Sequence, residues 1–502
     1  MQYLVKPWEH QLRGIEMARH HRDLALFFEM GTGKTGTQIN ILREKFAVEK
    51  RVMRTLILGP LITVKNWQDE FRMHSKIKHT DIIPLTGPGK KRAQLFSKAA
   101  TDPVTQTLTR GKIFITNYEA GQMTELWDQI KLWQPEILVC DESHRLKNFK
   151  SNRAKNVVQL LGEKPIMGTK RYTRALKHCY ILSGSPILNK PMDVFNQFRI
   201  LDSGETFGRD FYEFRNVYFE DENKGMPSHI YFPKFVPRPE TDEQLNKKIY
   251  RKALRVLKKD CLDLPPLVKR NVYVEMGKEQ TRLYEEMKKD FITWMNIKHD
   301  EPRAVVAQMA LTKALRLQQI VSGFVKTEDG QEHTITDNPR LNTLAELLED
   351  LTPNHKVIVW ATFHHNYRQI AEVCKKLGIK YVEIHGGITA SGKNQAIEDF
   401  RGDPTVRVAI ANQGAAGIGV NLVEYVDKVV KGSSSYSIFY SKNFSNENDL
   451  QAESRNYRGG SEVYESITRI DLIAPGTIDE LITDALRDKQ DMAEKILNWK
   501  AT

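Results

Sequence analysis

The sequence predicts an α/β protein with two parallel-sheet lobes and helical insertions. Short apolar runs, each ending at a Gly, Pro, Asp or Ser cluster, alternate with helical patterns through the first third of the chain. The same rhythm returns near residue 356, after a stretch rich in aromatic and basic residues and broken by prolines. Such alternation is the βαβ pattern, in which buried strands need helices on both faces of the sheet. A chain of 502 residues has room for roughly two to four such domains.

The elements follow in order. Asp23 to Phe28 (DLALFF) reads as a buried strand, as do Thr55 to Leu58, Ile113 to Thr116, Ile137 to Cys140 and Tyr180 to Leu182. From about 190 to 260 the patterns FGRDFYEFRNVYF and LNKKIYRKALRVLKKD read as helical, with the break FPKFVPRPE between them. LDLPPL at 262–267 marks a hinge, because adjacent prolines end regular structure. A strand near 271 (NVYVEM) precedes long helical segments to about 322. Lys356 to Trp360, Tyr381 to Ile384, Val406 to Ile410, Val426 to Val430 and Ile467 to Ile473 are the strands expected of the second lobe. The expected division is therefore a first lobe at 1–200, a helical insertion and linker at 201–268, and a second lobe at 269–502 with a helical insertion at about 276–325.

Composition narrows the function. Apolar residues are 40% and charged residues 27%, enough to bury large cores. The longest apolar runs fall far short of a membrane span, and MQYLVKPWEHQ has no signal-peptide core. A cytoplasmic protein without a membrane partner is expected. Cys140, Cys179, Cys261 and Cys374 are scattered, without a CxxC pair, which disfavours a disulfide framework or a cysteine zinc site. Adjacent His364 and His365 have no Cys or acid at ligand spacing. Lysine and arginine number 75 against 63 acids, a net charge of +12, compatible with a polyanionic partner.

Three motifs carry chemistry. In Phe28-Glu29-Met30-Gly31-Thr32-Gly33-Lys34-Thr35 an apolar strand enters a Gly-rich turn and then a helical pattern. Backbone N–H groups there can curl around phosphate oxygens, with Lys34 on the β/γ-phosphates and the Thr35 hydroxyl on Mg²⁺. The general phosphate-loop string has a glycine where Phe28 stands. In Ile137-Leu138-Val139-Cys140-Asp141-Glu142-Ser143-His144 a strand delivers two carboxylates to its C-terminal edge, where open α/β sheets bind ligands. Asp141 would hold Mg²⁺ and Glu142 would orient and deprotonate water. Late in the chain, Arg455 and Arg458 stand three apart, on one face of an expected helix. They suit the charge that develops on a transferring phosphoryl group.

Together these residues resemble helicase superfamily two, and within it the Swi/Snf-type ATPases. Pro7-Trp-Glu-His-Gln11 resembles the nucleotide-side Q-type motif. Gly59-Pro-Leu-Ile-Thr-Val-Lys-Asn-Trp67 resembles motif Ia, and Ile115-Thr-Asn-Tyr-Glu119 motif Ib. Arg145-Leu-Lys-Asn148 extends the acidic box as in that family. Leu182-Ser-Gly-Ser-Pro186 resembles motif III, Gly414-Ala-Ala-Gly-Ile-Gly-Val-Asn421 motif V, and Asn448 to Arg458 motif VI. Gly459-Gly460-Ser461 departs from the family's usual Ile-Gly-Gln.

The resemblance implies two RecA-like lobes that clamp one ATP with Mg²⁺, Gln11 lying near the adenine and the Met30–Thr35 loop around the phosphates. Arg455 and Arg458 would complete the site when the lobes close. It implies DNA, duplex or branched and gripped by its backbone without sequence preference, as the partner. Lys65, Asn66, Trp67, Tyr118, Gln413 and Asn421 are the expected contacts, although Trp67 reads equally as a packed core aromatic. The function implied is ATP-dependent translocation by a compact motor of bacterial or phage type. A strand-separating DNA or RNA helicase, or the motor subunit of a larger DNA-processing complex, is the alternative.

Overall fold

The structure is a computed structural model that describes residues 2–486 apart from 62, 168–171, 185–190, 227–232, 234, 262–263, 297–302, 328–329, 417–421, 423–424, 427–428, 431–433, 443–444, 459–460 and 485. The chain divides into two units, Met1–Leu262 (with Lys489–Thr502) and Asp263–Asp488.

The first unit is built on a seven-stranded sheet. Its spatial order is Ala253–Val256, Asp23–Phe28, His178–Leu182, Ile137–Asp141, Thr55–Gly59, Ile113–Asn117, Ile82–Pro84, and each neighbouring pair is parallel. Burial on both faces explains the unbroken apolar runs. Leu24, Leu26 and Phe28 point into a core closed by helices Glu9–His20, Lys34–Glu49 and Thr63–His74. Ala25 and Phe27 point into the opposite core, under helices Gly89–Ala100, Thr124–Trp133 and Val194–Asp202. That alternation is the period-two geometry of a strand.

The stretch 245–260 departs from the expected continuous helix. The helix Thr241–Ile249 stops, and Ala253–Val256 becomes the edge strand, with Ala25 opposite Ala253 and Phe28 opposite Val256. Only Ala253 and Val256 of this strand are buried. So short a run suits a sheet edge, where half the backbone remains accessible. The region expected to be a separate insertion is also part of the first unit. Phe207, Phe214, Tyr218, Leu245 and Ile249 share one core with Phe27 and Ile181. The boundary accordingly lies at 262/263 rather than at 200 and 268.

The second unit carries six parallel strands in the order Leu267–Tyr273, Ile467–Ile473, Tyr436–Phe439, Val357–Ala361, Val406–Asn412, Lys380–Ile384. The expected strand Val426–Val430 is not among them. Tyr425–Val426 pairs antiparallel with Val429–Val430, and Tyr436–Phe439 takes the place in the sheet. Serines disguise that strand: Ser437 within it is buried, and just before it the Ser434 hydroxyl donates to the Lys356 carbonyl at 2.7 Å. A small hydroxyl with a partner enters a core at little cost. Helices Lys278–Asn296 and Arg303–Val321 follow the first strand, and Tyr284, Leu317 and Ile320 pack with Ile478 and Ile482. No helix among the described residues is long and apolar enough to cross a membrane.

Candidate nucleotide site and the elements that hold it

The loop after strand Asp23–Phe28 turns through Gly31 (φ 87°) and Gly33 (φ 79°), both left-handed, before helix Lys34–Glu49 begins. Phe28, where the general string has glycine, is still the last strand residue, buried edge-on against His10 at 5.6 Å. The loop is held from outside by the Pro7–Gln11 segment. The His10 Nε2 lies 2.8 Å from the Thr32 carbonyl, and burial keeps its pKa below the ordinary imidazole value. Gln11 Nε2 donates to the Gly33 carbonyl at 3.2 Å while its Oε1 accepts from the Trp8 N–H at 2.9 Å. The φ of 79° favours glycine at residue 33, and a Cβ there, 2.0 Å from Gln11 Nε2, would displace the Gln11 amide. Gln11 therefore braces the loop backbone. From the turn that follows the edge strand, the Lys258 N–H donates to the Glu29 carboxylate at 2.8 Å.

The helix Lys34–Glu49 has no side-chain cap at Gly33. Its first N–H donors, together with the Lys34 ammonium, form the electropositive end that suits a phosphate. Thr35 is half-buried on that first turn, beside the lysine. Lys34 Nζ lies 2.5 Å from Glu142 Oε1, so the loop and the carboxylate strand meet at one point.

Asp141 ends its strand fully enclosed. Its Oδ2 accepts from the Trp67 indole N–H at 2.9 Å, its Oδ1 from the Glu142 N–H at 3.0 Å, and its carbonyl from the Tyr118 hydroxyl at 2.7 Å. Burial pushes the Asp141 carboxyl up to about 6; Lys34 opposes that rise and the Glu142 charge adds to it. A divalent cation would reverse this preference, because it favours the charged carboxylate. Glu142 adopts φ 50°, a left-handed backbone rare outside glycine and typical of functional turns. Its other oxygen lies 3.4 Å from His144 Nδ1, which also lies 3.2 Å from Ser183 Oγ. An ammonium and two carboxylates meet beside the N-terminal end of the phosphate-loop helix, whose first turn carries Thr35, a set of groups whose chemistry fits a magnesium-bound nucleoside triphosphate.

In the second unit the late arginines lie differently from expectation. Helix Asn446–Glu453 ends before them, and Arg455 and Arg458 occupy the following turns. Ser454 Oγ donates back to the Gln451 carbonyl at 2.8 Å, a bond that competes with helix continuation. Arg455 is buried, its Nε donating to the Gln451 carbonyl at 3.0 Å, and Arg458 is half-buried. The helix itself is fastened by Arg469, whose guanidinium meets Asp449, Glu453 and Asp471, each at 2.9 Å, and lies 3.8 Å from the Phe439 ring centre.

The expected DNA contacts differ in exposure. Trp67, Tyr118 and Gln413 are buried. The Trp67 and Tyr118 polar atoms turn inward to Asp141, because a large ring with one donor is best placed in a core where that donor has a partner. Lys65 is exposed and Asn66 half-buried on the same helix as Trp67; Asn421 lies outside the described residues. His10 and Arg469 carry weight that the motif reading did not assign them. The adjacency of His10 to Gln11 was the available signal for the first. For Arg469 there was none, since a charged residue inside a strand gives no hint of its partners.

Comparison with known proteins agrees with this architecture. Residues 10–323 match the SNF2-related domain and residues 339–460 the helicase conserved C-terminal domain. The fold and these matches define the ATPase domain architecture of helicase superfamily two. Within it, the chain belongs to the SNF2-related family. It is 24% identical over 471 residues to the uncharacterized ATP-dependent helicase MG018 of Mycoplasma genitalium, covering 93% of this chain and 40% of that protein. It is 24% identical over 474 residues to the chromodomain-helicase-DNA-binding protein 1-like of Danio rerio, covering 93% of this chain and 41% of that protein. The chain thus spans about two fifths of the length of these relatives. The Sulfolobus solfataricus SWI2/SNF2 ATPase core in complex with dsDNA aligns with 99% of this chain and 93% of its own, at 20% identity and a TM-score of 0.42.

Proposed function

We propose that this chain is an ATP-driven motor that moves along duplex or branched DNA, remodelling forks, migrating branches or displacing bound proteins. The observation that carries the reading is the meeting of Lys34 with Glu142 beside the enclosed Asp141. Lys34 and the bare helix end bind the phosphates. Thr35 and Asp141 would hold Mg²⁺, which when bound would supply charge neutralisation on the phosphoryl oxygens. Glu142 exchanges its lysine partner for the attacking water, orients it and takes its proton. Arg455 and Arg458 stabilise transition-state charge. Lys65 and Asn66 are the surface residues we assign to the DNA backbone, in a sequence-tolerant grip.

The test is ATP hydrolysis measured without polymer and with duplex, single-stranded and forked DNA and with RNA, using Glu142→Gln as the control. Stimulation by duplex or forked DNA supports the translocase. Stimulation by single strands or RNA alone turns the assignment to a strand-separating helicase.

A further inference from the structure

One short helix joins the two motifs of the proposed motor. Helix Thr63–His74 carries Lys65 and Asn66 outward and Trp67 inward. The Trp67 indole donates its N–H to Asp141 Oδ2 at 2.9 Å, with both side chains buried. Gly59, at the end of the adjoining strand, packs against both the start of the helix and Asp141: a Cβ there would lie 3.0 Å from Thr63 Oγ1 and 3.2 Å from Asp141 Cβ. The far end presses on the phosphate-loop helix, where a Cβ at Gly36 would stand 2.8 Å from His74 Nε2. On the other side, the Tyr118 hydroxyl donates to the Asp141 carbonyl at 2.7 Å. Close packing of this kind transmits a small shift, because neither glycine leaves slack.

We infer that Trp67 is a positioning residue that couples DNA engagement to the Asp141 carboxylate. A pull on Lys65 and Asn66 moves the helix, and the indole N–H carries that movement to the carboxylate that would hold Mg²⁺. The same indole restrains the carboxylate when DNA is absent. This inference rests on the DNA-motor reading proposed above. It adds the residue through which polymer controls turnover.

The test uses the whole chain and the variants Trp67→Phe and Tyr118→Phe. Each removes a hydrogen-bond donor and keeps an aromatic ring, and melting temperatures report whether each variant folds. Three quantities are measured: duplex affinity without nucleotide, the ratio of duplex-stimulated to basal hydrolysis, and the Mg²⁺ concentration that half-saturates binding of a fluorescent ADP, with and without duplex. In the wild type, duplex shifts the Mg²⁺ midpoint and raises turnover. In Trp67→Phe, duplex affinity stays within twofold, while the stimulation ratio falls by tenfold or more and the Mg²⁺ midpoint no longer responds to duplex. Tyr118→Phe shows the same pattern to a smaller degree, and carries the test if Trp67→Phe does not fold. Equal loss of basal and stimulated rates, or a Mg²⁺ midpoint that still responds to duplex, overturns the coupling and leaves Trp67 a core residue. A wild type that binds duplex but is not stimulated by it overturns the motor reading itself.

Discussion

Glu142 stands in a left-handed backbone at φ 50°, with its carboxylate 2.5 Å from Lys34. A residue placed in so uncommon a conformation repays its cost by aiming a side chain that no ordinary turn would aim. Removing its charge should therefore act on chemistry more than on folding. Glu142→Gln keeps the length and the hydrogen-bonding oxygen but cannot take a proton. Steady-state hydrolysis should fall by roughly 10²–10⁴-fold, the usual worth of a general base, with nucleotide binding retained. Normal turnover in that variant would remove Glu142 from the mechanism. Gln11 acts one step further out, through the Gly33 carbonyl it braces. Gln11→Ala should weaken binding of a fluorescent ADP by about 1 kcal/mol, several-fold in affinity, as the lost brace loosens the loop. If instead affinity is unchanged and only the preference between ATP and GTP relaxes, Gln11 reads the base, as the motif resemblance implies.

At the scale of the element, the Asn446–Glu453 helix depends on Arg469 in the neighbouring strand. Replacing this arginine by a neutral residue leaves Asp449, Glu453 and Asp471 with much of their compensating charge gone. Breaking a buried pair in this way costs about 3–5 kcal/mol, so Arg469→Met should markedly lower the melting temperature. Glu136 performs a similar fastening in the first unit. It accepts from Arg51 at 2.8 and 2.6 Å and from the Arg54 N–H at 3.1 Å, at the entrance to the carboxylate strand. Burial raises its pKa, but Arg51 and the Arg54 N–H overcome that and hold it at about 2, against 4.5 in the unfolded chain. The unfolded state thus takes up the proton first as pH falls. This contribution is complete above pH 4.5 and is lost as pH falls toward 2. In urea titrations the stability gap between wild type and Glu136→Gln should be constant above about pH 5 and narrow by about pH 3. The elements that were legible beforehand share a cause. Asp23–Phe28 and Ile137–Asp141 are buried on both faces, so apolarity alone marks them. Ala253–Val256 and Tyr436–Phe439 were missed because an edge strand needs few apolar residues and a serine with a partner passes as loop. At the site, the glycines, Lys34 and the carboxylate pair were readable because phosphate chemistry restricts residue type. The inward aim of Trp67 and Tyr118 was not, because a ring with one polar atom suits a surface and a core alike.

For the molecule as a whole, the charge of +12 is the property that bears most directly on the proposed partner. Net charge alone does not distinguish a DNA-binding face from a solubilising surface, but the salt dependence of binding does. Each phosphate neutralised by a lysine or arginine releases condensed counterions, so log affinity falls linearly with log salt at a slope of about −0.9 per contact on duplex DNA. A backbone grip of several contacts predicts a steep slope and nearly equal affinity for unrelated sequences. Fluorescence anisotropy across a salt series, on two duplexes of different sequence, measures both. Lys65 is exposed on the helix that carries Trp67, and Lys65→Ala should make the slope shallower by about one, without introducing a sequence preference. A shallow slope in the wild type would mean that the excess positive charge faces water rather than phosphate. An unchanged slope in Lys65→Ala would place the grip elsewhere on the molecule. Because the coupling through Trp67 begins at this helix, that second result would also predict a stimulation ratio indifferent to Trp67→Phe.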